Sequence, residues 1–209
     1  MIALFGGTFD PVHSGHLNMA RNCVAQLSLT QLHFLPCALP VHKAAPGITE
    51  QHRLAMLSLA IQNNPHFSLD TRELQREGPS YSLLSIQECR AENPDTPLLF
   101  LMGMDSFNSL PSWFEWQKIT SLCHIIVYQR PGEVRSSNHV LSTYLSNCEI
   151  TEPTLLHSRL GGLCYFLTGA VEDVSSSEIR ERLKHQQHTE RFLEPKVREY
   201  IRKHNLYAD

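Results

Sequence analysis

The chain has 209 residues, 42% of them hydrophobic and 19% charged, with 18 Lys+Arg against 21 Asp+Glu for a formal net charge of -3. This is the composition of an ordinary globular protein long enough to bury about 70% of the surface its unfolded chain exposes. The faintly acidic balance, without a block of basic residues, excludes a broad positive face for nucleic acid or anionic lipid, so any bound anion must meet a local site.

In chain order, the apolar run at residues 1–5 stops at Gly6-Gly7 and reads as a buried strand followed by a loop. It has no basic flank and is too short for a signal peptide. From Gly15, Leu17, Ala20, Val24 and Leu27 recur at three and four residues, the stripe of a helix lying on a sheet. A strand at 32–35 completes a strand–helix–strand unit, whose crossover favours parallel pairing. Thr49 is placed to cap a helix reaching about residue 63, and Ser82 to cap another through Arg90. Continuous apolar runs at 98–102 and 124–128 read as buried strands, with a short helix at 113–119 between them. A last strand at 163–167 is followed by helices at 177–184 and 195–204, the second opened by Pro195.

Alternation of strand and helix predicts an α/β fold: a Rossmann-like, open, mostly parallel sheet with helices on both faces. No repeat or linker divides the chain, so 1–209 is expected to be one domain. Cys23, Cys37, Cys89, Cys123, Cys148 and Cys164 show no CxxC spacing and read as reduced thiols of a cytoplasmic protein. Nothing approaches the roughly 18 consecutive apolar residues of a membrane span.

In open parallel sheets ligands sit beyond the carboxyl ends of the strands. The first strand ends in Gly6-Gly7-Thr8-Phe9-Asp10-Pro11-Val12-His13-Ser14-Gly15-His16. Two glycines let the backbone approach a phosphate, the next helix offers free N–H groups and its positive dipole end, and His13 and His16 flank that helix start. Paired histidines or Gly-Gly alone are weak signals; their joint occurrence at the end of strand one is a strong one. Ser175 and Glu178 have capping-box spacing, so Ser175, Ser176 and the first-turn N–H groups form a second anion cradle beside Arg180. Ser112 and Glu115 have the same spacing, which puts Trp113 in a first helical turn. Asp105 follows a strand end, where an N-cap is the plain reading, and Arg130 follows another. His185 and His188 read as a solvated helix end; no metal ligand set is discernible.

The segment from Gly6 to Leu17 resembles the signature of the HxGH nucleotidyltransferases. Along nearly its whole length the chain is similar to the bacterial nicotinate-nucleotide adenylyltransferases, in Val41-His42-Lys43, Gly78-Pro79-Ser80-Tyr81-Ser82, Gly103-Met104-Asp105-Ser106, Pro111-Ser112-Trp113-Phe114-Glu115, the stretch 127–131 and Val174-Ser175-Ser176-Ser177-Glu178-Ile179-Arg180. Val41, Ser82, Val174 and Ser177 are conservative departures. The resemblance implies transfer of AMP from ATP to nicotinate mononucleotide, giving nicotinate adenine dinucleotide and pyrophosphate in NAD biosynthesis, with Mg²⁺ held mainly by ATP phosphates. It implies catalytic roles for His13, His16, Lys43 and Arg180. Substrate contacts are implied for Gly6, Gly7, Thr8, Phe9, His42, Tyr81, Ser82, Asp105, Trp113, Arg130, Ser175 and Ser176, with Asp105 on a ribose hydroxyl and Trp113, ahead of Trp116, stacked on the pyridine ring. ATP and nicotinate mononucleotide are the expected partners, with room left for a homo-oligomer and none for nucleic acid or membrane. The rivals are another HxGH enzyme, acting on pantetheine phosphate or in cytidylyl transfer, and a nucleotide sensor without turnover. Neither GxGxxG nor a P-loop occurs.

Overall fold

The computed structural model describes residues 1–38, 47–129, 132–169 and 174–208. Strand β1 (Ile2–Gly7), helix α1 (Ser14–Gln26) and strand β2 (Leu32–Pro36) form the expected unit, paired in parallel from Ala3 opposite Leu32 to Gly7 opposite Pro36. Helix α2 (Glu50–Ile61) leads to β3 (Phe67–Leu69) beside β2. After α3 (Arg72–Gln75) and α4 (Ser82–Glu92), strand β4 (Leu98–Gly103) pairs with the other side of β1. There follow α5 (Met104–Ser109), a 3₁₀ turn at Leu110–Ser112, α6 (Trp116–Leu122), β5 (His124–Gln129), α7 (His139–Cys148), β6 (Glu149–Ile150), a second 3₁₀ turn at Pro153–His157, β7 (Cys164–Thr168), α8 (Ser176–Lys184) and α9 (Pro195–Lys203).

Among the described residues the sheet has seven strands in the order β3-β2-β1-β4-β5-β7-β6, and every pair is parallel. The chain runs outward from β1 in one direction and returns to its other side at β4. Helices leave β1 and β4 to opposite faces, which opens a crevice at their carboxyl ends.

Both faces are covered. Ala3 and Phe5 of β1, Leu99 and Leu101 of β4, and Ile126 and Tyr128 of β5 pack with Leu17, Met56, Ile179 and Val197 from α1, α2, α8 and α9. Leu4, Leu98, Phe100, Met102, Ile125 and Val127 point the other way, onto Ile86, Phe107, Ile119 and Leu141 from α4, α5, α6 and α7. Period-two alternation between two apolar layers is why these strands read as unbroken hydrophobic runs.

Several local expectations are corrected. Ser82 is the first residue inside α4; Tyr81 is its N-cap, without a side-chain bond, and Thr49 caps α2 only through its backbone position. The expected helix at 113–119 begins at Trp116: Trp113 is extended and Glu115 is left-handed, with φ 47°. Their capping box does not form, because the Ser112 hydroxyl donates to the Ser109 carbonyl at 2.7 Å and the Glu115 carboxylate takes Lys118 at 2.7 Å. At α8 the Ser175 hydroxyl does accept the Glu178 N–H at 3.1 Å, while the Glu178 carboxylate turns to Arg182 rather than back. Strands β3 and β6 and helices α3, α5 and α7 were not expected.

His124 joins β5 to the segment entering β7. Its Nδ1 accepts the Leu163 N–H at 3.1 Å and its Nε2 faces the Arg159 carbonyl at 3.0 Å, so the ring is neutral with its proton on Nε2. Burial lowers its pKa from 6.5. Stability from the neutral ring is complete above the unfolded value and is lost as pH falls below it, because the unfolded chain then binds the extra proton. Denaturant unfolding is therefore expected to show wild type losing stability relative to His124→Gln between pH 8 and pH 5, and a pH-independent difference would remove His124 from this role.

Candidate active site

The crevice between β1 and β4 opens into a cavity of about 700 Å³. Its floor is the β1 end and the following loop. A Cβ on Gly7 would stand 2.8 Å from Phe9 Cζ, and one on Gly6 2.9 Å from Phe100 Cζ, so neither position tolerates a larger residue without rearrangement. Phe9 has φ 51° and its ring lies beneath the loop, 1% exposed, against Phe5, Phe34 and His16.

His13 is the N-cap of α1 and His16 its third residue. Their rings stack at 3.8 Å between centroids, inclined by 37°, and His16 Nδ1 accepts the His13 N–H at 3.4 Å, the return half of a capping box built from imidazoles. With Nδ1 used as acceptor, the neutral His16 ring carries its proton on Nε2 and is a donor there.

Helix α8 begins against the same loop. The Ser176 hydroxyl donates to the Pro11 carbonyl at 3.1 Å, and Arg180 Nη1 donates to the Asp10 carbonyl at 2.7 Å, with Nη2 on the Ser177 hydroxyl at 3.2 Å. The first turns of α1 and α8 and the Arg180 guanidinium therefore converge on the cavity, an arrangement suited to anionic oxygens. Elsewhere the wall is aromatic: Tyr81 and Phe114 stack at 4.6 Å, and Trp113 meets Phe100 edge-on at 6.2 Å. Trp116 is instead buried against Tyr144, and Trp113 is the tryptophan that lines the cavity. The Asp105 carboxylate curls over Gly103 at the end of β4, where a Cβ would meet it at 2.9 Å.

Gly6, Gly7, Thr8, Phe9, His13, His16, Tyr81, Ser82, Asp105, Trp113, Ser175, Ser176 and Arg180 all line this one cavity. His42, Lys43 and Arg130 lie outside the described residues. Sequence reasoning missed Arg53, Asp10, Glu73 and Tyr207. Arg53, 1% exposed, donates to the Thr8 carbonyl at 2.8 Å and the Ala38 carbonyl at 3.3 Å, tying the loop after β1 to the end of β2. Its only signal was a cation at an inward position of α2. Glu73, also buried, accepts the Ser85 hydroxyl at 2.8 Å. The neighbouring Ser80 hydroxyl accepts the Ala38 N–H at 3.0 Å.

A family profile described as cytidylyltransferase-like matches residues 4–182. A protein of Pseudoalteromonas atlantica named "probable nicotinate-nucleotide adenylyltransferase" is 40% identical over 99% of this chain and 94% of its own length. One of the same name from Methylococcus capsulatus is 39% identical over all of both chains. The chain belongs to the nicotinate-nucleotide adenylyltransferase family. The fold of this adenylyltransferase-family chain is shared by Plasmodium falciparum nicotinic acid mononucleotide adenylyltransferase complexed with NaAD, with TM-score 0.73 and 21% identity over 99% of this chain and 96% of that one.

Burial raises the pKa of Glu73 above 4.5, against hydrogen bonds from Ser85 and Ser80 that lower it. A raised acid costs the folded state nothing while both states are protonated and penalises it as pH rises through the folded value. Glu73→Gln is expected to gain on wild type in unfolding free energy as pH is raised from 4.5 to 8, measured by denaturant titration. A gain with the opposite slope would show that the Ser hydroxyls outweigh burial.

Proposed function

We propose that the chain transfers AMP from ATP to nicotinate mononucleotide, releasing pyrophosphate and forming nicotinate adenine dinucleotide in the cytoplasm. The observation that carries this reading is the joining, in one cavity, of a cationic and N–H-rich cradle with an aromatic wall, in a chain about 40% identical over its length to relatives of that name. An oxygen of the mononucleotide phosphate attacks the α-phosphorus as the bond to the bridging oxygen breaks, and the electron pair leaves with pyrophosphate. No protein nucleophile is required, so the protein's work is positioning and charge stabilisation. His13 and His16 would donate to ATP phosphate oxygens, Arg180 with Ser175 and Ser176 would receive the pyrophosphate, and Lys43 would supply a point charge. Gly6, Gly7, Thr8 and Phe9 would lend backbone to the nucleotide, Asp105 would accept from a ribose hydroxyl, Arg130 would contact substrate phosphate, and His42 would contact substrate.

No set of three His, Cys, Asp or Glu side chains suited to a metal ion occurs among the described residues. Mg²⁺ would enter as part of the substrate, carried by ATP phosphates, which suits an ion that dehydrates reluctantly. No described helix is long and apolar enough to cross a membrane.

The direct assay follows pyrophosphate release from ATP, Mg²⁺ and nicotinate mononucleotide. Release only with pantetheine phosphate or with CTP would replace this reading by another of the superfamily. His16→Ala is expected to lower kcat by about 10²- to 10³-fold with a smaller change in ATP affinity, the loss typical of one preorganised donor. Wild-type turnover in that variant would take His16 out of the reaction.

The acid mononucleotide should be preferred over the amide. Ser82 lies in the first turn of α4, capped by Tyr81, and both line the cavity, so hydroxyl and helix dipole favour a carboxylate there. Hydrogen bonds to a charged group contribute about 1.5 to 3 kcal/mol against about 1 for neutral ones, giving roughly tenfold to several hundredfold in kcat/KM. Equal kcat/KM for the two mononucleotides would reopen the substrate assignment.

A further inference from the structure

Asp10 sits in the middle of the loop after β1, buried to 5% exposure, with an arginine within reach. A buried carboxylate beside a guanidinium ordinarily takes it in a bidentate pair. Here Arg180 Nη1 stands 3.8 Å from Asp10 Oδ2, beyond hydrogen-bonding distance, and donates instead to the Asp10 backbone carbonyl at 2.7 Å. The guanidinium stays 37% exposed and lines the cavity. The other carboxylate oxygen, Oδ1, is taken: the Tyr207 hydroxyl donates to it at 2.6 Å, from 197 positions further along the chain.

We infer that Tyr207 is a positioning residue for Arg180: by occupying the Asp10 carboxylate, its hydroxyl keeps the guanidinium facing the cavity and prevents it from closing onto Asp10 as a structural ion pair. This rests on the pyrophosphate role proposed for Arg180.

The placement of Tyr207 is built, not incidental. The segment after α9 turns back on itself through the Leu206 N–H to the Ile201 carbonyl at 3.0 Å, with Asn205 at φ 48° and Tyr207 itself at φ 62°. A bulky aromatic residue at positive φ is uncommon and is retained where its surroundings over-determine it. Helix α9 packs on α2, which also carries Arg53, so the loop that holds Asp10 is fixed from α2 through Thr8 and from the segment after α9 through Asp10. Burial and the bond to Asp10 both push the Tyr207 pKa upward, so the hydroxyl keeps the proton it donates. Without that hydroxyl, Asp10 Oδ1 would be a buried oxygen lacking its donor, and Arg180 is the cation already 3.8 Å from the other oxygen of the same carboxylate, while the Arg53 guanidinium is held by the Thr8 and Ala38 carbonyls; closing the remaining gap satisfies the carboxylate and withdraws the Arg180 guanidinium from substrate.

Four readouts on the full chain test this. Tyr207→Phe should weaken binding of inorganic pyrophosphate with Mg²⁺, measured calorimetrically, by about tenfold, the effect of removing one charge-assisted contact. In an Arg180→Met background the same substitution should change pyrophosphate binding less than about twofold, because pairs that act as a unit are non-additive. Asp10→Asn/Tyr207→Phe should recover most of the binding lost in Tyr207→Phe, since a neutral amide does not capture Arg180; this double variant also carries the test if Tyr207→Phe alone is too unstable to assay. A crystal structure of Tyr207→Phe is expected to show Arg180 closed onto Asp10 at about 3 Å. An equal loss in the Arg180→Met background, no loss in Tyr207→Phe, or an unmoved Arg180 in that structure would overturn the inference. Wild type that neither binds nor releases pyrophosphate would instead overturn the function assigned to the cavity, while the crystal structure would still decide whether Tyr207 holds Arg180 away from Asp10.

Discussion

The arrangement of the cavity depends on Phe9 turning under its own loop. With φ 51° the residue reverses the chain just past β1, and its ring fills the space beneath Gly7, leaving no room there for a Cβ. The ring is locked among Phe5, Phe34 and the edge of His16, so a hydrophobic cluster reaches up to the histidine pair and sets its height above the sheet. Because that ring is used as an anchor, residues 9–13 are held buried, while Gly6, Gly7 and Thr8 before them stay half-open at the cavity. The loop's carbonyls are then gripped from outside: Thr8 by Arg53, Asp10 by Arg180 and Pro11 by Ser176, while the Ser14 N–H is held by the Phe192 carbonyl at 2.8 Å. Elements far apart in sequence thus share one fixed reference.

How much of this was legible in sequence follows from the range over which each feature is determined. The strands at 98–102 and 124–128 were plain because burial on both faces leaves no polar position to break the apolar run. β3 was missed because three residues with one fully buried side chain give no periodicity to read. In α7 the signal was present and went unread: Leu141, Tyr144, Leu145 and Cys148 stand at helical spacing and face one core layer, but the polar Ser, Thr and Asn residues between them read as turn. The misplaced helix start at Trp113 has a physical cause: Ser112 and Glu115 have capping spacing, yet Pro111 and the 3₁₀ turn before them direct the Ser112 hydroxyl backward, and the left-handed Glu115 delays the helix to Trp116.

The candidate site divides in the same way. His13, His16 and the two glycines lie within eleven residues of one loop, and Ser175 to Arg180 within one helical turn and a half, so local spacing carries them. Arg53, Glu73 and Tyr207 act through partners 45, 12 and 197 positions away. In sequence each is an ordinary helix or tail residue, and only the folded chain shows that its neighbours are the loop carbonyl of Thr8, the hydroxyl of Ser85 and the carboxylate of Asp10.

The distribution of buried charge separates what stabilises the fold from what shapes the cavity. Arg72 pairs with Asp70 at 2.8 Å, both side chains under a fifth exposed, and with the more open Glu92 at 2.9 Å, so its charge is matched by carboxylates. Asp10, Arg53 and Glu73 are buried instead, and desolvating an ion costs more than apolar residues of similar volume would. All three border the cavity or hold the loop that forms its floor, while the two core layers between helices and sheet are almost wholly apolar. A sequence selected for stability alone would have no reason to concentrate that cost at the carboxyl ends of β1 and β2. Its placement there is accounted for by directionality: an apolar side chain can fill a volume, but only a fixed donor or acceptor can hold a particular carbonyl or guanidinium at the angle that a phosphate ligand requires.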